Sequence, residues 1–328
     1  MKPMRQFLIA LLVVWTAGCI AAYFYSSQQD IPPGIAAAVL PAFLVELAMY
    51  ISTGSPVARR VFERLGSKLV RASLLIASAV IPYTLASTSL HAFSFISFGM
   101  LVLIATIASL WYAAFERGPI ADLLFLVFMA AVYMTRCFAW IYPHATARLP
   151  LDILGHLMWV RIGVLSILSI RGFENIRFGF IPSRKEWRIG VQHYLVFLPV
   201  AAVVAYAIDS LHLRVLDVVW WKYAAVVVGT FLGMLWVVAL GEEFFFRGFL
   251  QQLMGRSLGS EAAGLLVAST LFGLAHLPFR SFPNWRMAIL AAILGVFCGL
   301  SFLRAGSIRA AMVTHALVAT TYRVFFTT

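Results

Sequence analysis

Between positions 241 and 255 the sequence reads GEEFFFRGFLQQLMG, which sets three ionisable side chains, Glu242, Glu243 and Arg247, in an otherwise apolar helical run. An ionised group near the middle of a bilayer costs on the order of 2.5 to 3.5 kcal/mol, so a cluster of three implies mutual pairing or a polar cavity. Residues four apart share a helix face, which pairs Glu243 with Arg247 and leaves Glu242 about 100° away. Glu242 is therefore the carboxylate free for chemistry. Two histidines further on, His276 and His315, complete a set. At about 1.5 Å per residue, Glu242 lies about 20 Å and His276 about 24 Å from the loop near Arg256, and His315 lies roughly 15 Å from the loop near Gly306. Both loops fall on one membrane side, so a carboxylate and two imidazoles reach similar depth. Groups of these types can activate water: a carboxylate in apolar surroundings as base, an imidazole to share the proton, and an N–H donor for the oxyanion.

The elements that must position them are membrane helices. Of the 328 residues, 62% are hydrophobic and 12% charged, with a mean hydropathy of +0.92, so the chain uses lipid as its main solvent. Apolar runs occupy residues 6–25, 35–51, 69–86, 95–114, 120–142, 153–170, 190–208, 222–255, 261–277, 287–303 and 308–326. The expected fold is all-α, a polytopic transmembrane helical bundle of about eleven spans. The first run reads as an uncleaved helix, because its hydrophobicity continues past Cys19. Residues 171–188, RGFENIRFGFIPSRKEWR, read as an interfacial amphipathic linker. They divide a transmembrane scaffold or recruitment module, 1–178, from a core, 179–328.

The formal net charge of +12 falls in short clusters between apolar runs, the pattern of loops facing an anionic leaflet, and there is no soluble basic domain for nucleic acid. Threading the spans from an inner N-terminus leaves only Arg148, Arg214, Lys222, Arg280, Arg286 and Arg323 outside, with most other cations inside. The expected location is thus the plasma (inner) membrane, multi-pass, with a cytoplasmic N-terminus. Cys19, Cys137 and Cys298 have no close partner and read as small core residues.

The motifs themselves resemble a family. The run from Glu242 to Arg247 is similar to the EExxxR motif, Phe272 to His276 to the FxxxH motif, and His315 to the opening of the HxxxN motif of the CPBP intramembrane proteases. That family includes the type II CAAX prenyl endopeptidases. The resemblance runs from about Phe180 to the C-terminus. It implies an all-helical intramembrane peptidase in which Glu242 activates water with help from His276, while His315 and an Asn four residues later stabilise the oxyanion. The catalytic candidates are Glu242, His276 and His315, with Glu243, Arg247 and Phe272 in support. The substrate implied is a membrane-anchored protein or peptide. The sequence departs from the pattern at Ala319, which has no donor. Losing one such donor typically costs on the order of 100- to 1000-fold in rate. Thr320 or a water replaces it, or the enzyme is weakened.

Other readings stand beside this one. Zinc held by Glu242, His276 and His315 is chemically reasonable, with an open fourth position. No HExxH helix is present and the ligands would come from three helices, so a mechanism without metal or other cofactor is preferred. An inactive relative serving as a scaffold or immunity protein is the competing class, and a proton-relaying transporter is third. Glu46, Arg136, His156 and Arg161 read as pairing among themselves or reaching an interface. Gly295 and Gly299 read as close helix packing, and the loop 279–286, FRSFPNWR, as an interfacial anchor.

Overall fold

The computed structural model describes residues 2–210, 212–213 and 219–327. It divides into two compact units, Met1–Glu174 and Asn175–Thr328.

In the first unit the helices are α1 Lys2–Gln28, α2 Pro33–Gly54, α3 Pro56–Arg64, α4 Lys68–Ser89, α5 Phe95–Ala114, α6 Pro119–Met134, α7 Cys137–Ile141 and α8 Asp152–Arg171. Their starts follow local chemistry. Proline opens α2, α3 and α6, where its missing N–H costs nothing, and Ser55, Ser67 and Ser94 accept from backbone N–H groups of α3, α4 and α5. Small side chains (Ala42, Ala72, Ala79, Ala105) let the helices close around Tyr83, Phe125, Phe138 and Trp159, all buried. Glu46 and Arg161 are fully buried and pair at 3.0 Å, and Asp122 binds Arg171 at 2.7 Å.

In the second unit the helices are α9 Arg184–Ala207, α10 Trp220–Ser257, α11 Glu261–Ala275, α12 Trp285–Ala305 and α13 Ile308–Phe325. A capping box of Ser183 and Glu186 starts α9, and the same Glu186 holds Arg309 of α13 at 2.9 Å. α9 packs on α12 and α13, while α12 packs on α11 and α13. A two-residue antiparallel pair, His212–Leu213 with Phe326–Thr327, is the one sheet among the described residues. The Gly295 and Gly299 spacing marks close packing. A Cβ on Gly295 would lie 2.9 Å from Ser269 Cα of α11, and one on Gly299 would collide with Leu265.

Every apolar run of the sequence contains helix, and the bundle is all-α. Eight helices are long and apolar enough to cross a membrane; α6 and α11, of 16 and 15 residues, are apolar but shorter. The expected run 120–142 breaks because Arg136 takes a left-handed conformation, φ 53°, between α6 and α7. α11 ends at Ala275, two residues short of the apolar run to 277, with His276 as its cap. Residues 172–183, within the stretch read as a linker, form no regular element. Of the three cysteines only Cys298 lies in the core; Cys19 is exposed and Cys137 half-buried. Arg214, counted among the outer cations, lies outside the described residues. Large exposed apolar side chains, Leu8, Leu12, Ile96, Val203 and Val228 among them, sit on helix flanks where lipid is the natural solvent.

Candidate active site

The motif on α10 is not plain α-helix. Leu240–Glu243 is a single α-helical turn between two π-helical stretches, Met234–Ala239 and Phe244–Gln251. Such wide turns are rare and gather at functional positions. The four-residue spacing still pairs Glu243 with Arg247: Nε lies 3.2 Å from Oε2, and Nη1 donates to Oε1 at 3.3 Å. Arg247 also donates Nη2 to the carbonyl of Gly295 at 3.1 Å. That third partner comes from the close approach of α12, so the glycine spacing serves the site as well as the packing.

His315, on α13, meets both carboxylates. Its Nδ1 is 2.7 Å from Glu243 Oε1 and its Nε2 is 3.8 Å from Glu242 Oε2. An oxygen already bound by a guanidinium can only accept, so Nδ1 carries the proton toward Glu243. Nε2 is thereby aimed at Glu242. The sequence paired Glu243 with Arg247 alone. Its bond to His315 joins residues 72 apart and had no local signal.

His276 stands differently. Its Nδ1 lies 2.8 Å from the carbonyl of Phe272, which can only accept, so Nδ1 carries a proton and Nε2 is left outside that bond. His276 reaches the group through Phe272, whose ring packs on His276 at 4.6 Å, on His315 at 5.7 Å and on Phe246 at 5.0 Å between centroids, with the Arg247 guanidinium 4.4 Å over it. Phe272 thus spaces the two imidazoles. Phe244, by contrast, is buried bulk against Phe178 and Phe245.

The site has a sealed layer and an open one. Glu243 and Arg247 are fully buried and the His315 side chain is 5% exposed, whereas Glu242 is 29% exposed and His276 half-buried. Glu242 Oε2 has no hydrogen-bond partner. Four of the six residues (Glu242, Glu243, Arg247 and His315) are joined by direct polar contact, and Phe272 ties in His276.

The zinc set weighed as an alternative from sequence, Glu242, His276 and His315, is not the set whose ligand atoms converge. Among the described residues, the atoms that come within 4.8 Å of one another belong to Glu243, Cys298 and His315. These fit a cation poorly, because Glu243 is already matched by Arg247 and the His315 Nδ1 lone pair is taken up by its proton.

Ala319, one turn beyond His315, is half-buried and offers no donor; the next residue, Thr320, is buried with its hydroxyl unpartnered. In unit 1, the Glu46–Arg161 pair forms as the sequence suggested, while Arg136 is exposed and His156 rests against Tyr133 and Phe138.

Residues 223–321 match the family described as type II CAAX prenyl endopeptidase Rce1-like, and the matched segment holds all six of these side chains. No curated protein and no solved structure matches the chain.

Proposed function

We propose that this protein, which carries an Rce1-like domain over residues 223–321, hydrolyses a peptide bond of a membrane-associated substrate with Glu242 as the base. The Rce1-like family is a peptidase family, and the chain is an integral membrane protein. The observation that carries the finer reading is the Glu242 to His315 approach of 3.8 Å, between an open carboxylate and a ring held from behind by Glu243.

The chemistry proceeds in two steps. Glu242 takes one proton from a water molecule as the water oxygen bonds to the scissile carbonyl carbon, and the π-electron pair moves onto the carbonyl oxygen. The open Nε2 of His276 accepts a hydrogen bond from that water and orients it. When the tetrahedral centre collapses, the C–N bond breaks and the leaving amine takes the proton from Glu242. The oxyanion needs a donor, and Nε2 of His315 supplies it if the ring is doubly protonated. Phe272 is a positioning residue that keeps the imidazoles apart.

A metal-free glutamate mechanism is the reading supported by the Glu243–Arg247 match and by the divergence of His276 from the converging ligand atoms. The first unit, in this reading, is a scaffold or recruitment module in the plasma (inner) membrane, with the N-terminus cytoplasmic. The test is cleavage of membrane-anchored reporter proteins by the purified protein in lipid, with termini read by mass spectrometry. A Glu242→Gln variant that folds and still cleaves would sink the proposal.

A further inference from the structure

One polar side chain in the second unit is buried and entirely unused. Gln251 lies two turns along α10 from Glu243, in the series Glu243, Arg247, Gln251, and is 3% exposed. Neither its Nε2 nor its Oε1 has a hydrogen-bond partner. Ser269 of α11 is also 3% exposed, and its hydroxyl is likewise unpartnered. An amide shut away from water without partners costs roughly 1 to 3 kcal/mol, so a fold retains one where something small completes it.

Both residues pack against one face of α12. A Cβ built on Gly299 would lie 2.7 Å from Gln251 Oε1, and one built on Gly295 would lie 3.0 Å from Ser269 Cβ. The two glycines are four residues apart, a rise of about 6 Å, close to the span of two hydrogen bonds of about 2.8 Å each placed end to end. The glycines let α10 and α11 approach α12 closely here, with Leu265 also packed against Gly299. The ligand that fits is water: small, both donor and acceptor, and matched to an amide, a hydroxyl and the backbone of a neighbouring helix.

We propose that Gln251 and Ser269 hold a bound water between α10, α11 and α12, and that this water is a station on the route by which water reaches Glu242. The delivery half rests on the peptidase reading above. Gln251 stands between the turn at Arg256 to Ser260, where α10 gives way to α11, and the carboxylate layer one and two turns further in. The unpartnered buried atoms continue in the same direction, through Glu243 Oε2, which has only its ion pair with Arg247, to Glu242 Oε2. A hydrolase enclosed by lipid consumes one water per bond cut, so its site must be refilled.

A structure of the full chain in lipid, at a resolution that shows ordered solvent, tests the site directly. The expected result is a solvent peak within about 3 Å of both the Gln251 amide and the Ser269 Oγ, lost in Gln251→Leu. No peak there overturns the proposal. Turnover tests the route. Gln251→Leu and Ser269→Ala should each lower kcat by about tenfold at unchanged KM, and the double variant should be little worse than either, because both hold the same water. Should Gln251→Leu fail to fold, Ser269→Ala removes a single oxygen and gives the same readout. A solvent peak with unaltered kcat overturns the route. If the unaltered protein cuts nothing while the peak is present, the peptidase reading fails and the water site survives it.

Discussion

Each unit of the molecule buries a carboxylate against a guanidinium, and the two do so in opposite ways. In the first, Arg161 is saturated: Nε and Nη2 grip the two oxygens of Glu46 at 3.0 and 3.2 Å, while Nη1 and Nη2 also reach the hydroxyl and carbonyl of Ser78. One charge meets one charge, and neither side chain is open. In the second, Arg247 matches only Glu243 of two adjacent carboxylates, and the surplus falls on Glu242, which is partly exposed and has no hydrogen-bond partner at Oε2. A balanced, closed pair can only hold helices together. An unbalanced, open one leaves a carboxylate available, as the proposed base requires.

The sharpest way to break this contrast is to remove the surplus. Glu242→Gln keeps shape and burial but cannot take a proton, and it should lower kcat by on the order of 100- to 10,000-fold. Thermal unfolding should stay where it is, since Oε2 has no hydrogen-bond partner to lose. If cleavage persists, Glu242 is not the base and the contrast has no chemical meaning.

The same replacement logic inverts in the first unit. Arg161→Met strands the fully buried Glu46 and should destabilise the protein by about 3 to 5 kcal/mol, while turnover per folded molecule is unchanged. Replacing Glu46 by Leu in the same chain should recover most of that loss, because a well-packed apolar pair is often no worse than a buried ion pair. Denaturation of the variants in one detergent measures both effects. A turnover defect in Arg161→Met that survives correction for folded protein would give the first unit a share in the chemistry.

These outcomes also separate what was readable in the sequence from what was not. The membrane class, the helical runs and the Glu243–Arg247 pair follow from composition and from a four-residue period, both local properties. Glu46 with Arg161 was half legible: a buried charge predicts a partner, but the pairing across 115 residues is settled only by packing. The bond from His315 to Glu243 and the carbonyl that Gly295 lends to Arg247 are long-range, and no local pattern encodes them. The π-helical stretches flanking Leu240–Glu243 were invisible because a regular helix was assumed in estimating depth. Depth and the FxxxH resemblance put His276 with the carboxylates, whereas its position at the cap of a short helix depends on where α11 stops.

A gain of function probes the open layer next. Ala319 stands one turn beyond His315, and the buried Thr320 hydroxyl is rotated about 100° from it, so a direct substitute for a second oxyanion donor is not in place. Ala319→Asn should raise kcat by at least tenfold, toward the 100- to 1000-fold that one donor is typically worth, with KM little altered. An unchanged rate would mean that a bound water or another group already fills that role.

The smallest expected effect is none at all, and it bears on how the surplus charge is used. A zinc ion on Glu242 would turn the open carboxylate from base into ligand, and the contrast between the units would then be one of coordination. The converging atoms lie elsewhere, on Glu243, Cys298 and His315, and two of those three are already committed to each other by the 2.7 Å bond between His315 Nδ1 and Glu243 Oε1. Cys298 is fully buried, with its Sγ 3.8 Å from the carbonyl of Ala311, as a thiol donating a weak hydrogen bond would be. Cys298→Ala should therefore alter kcat by less than about twofold, since it deletes a packed thiol and no metal ligand. Treatment with a strong chelator should leave cleavage unchanged, and the purified protein should carry far less than one zinc per chain. Stoichiometric zinc together with chelator-sensitive cleavage would replace the glutamate base with a metal-bound one.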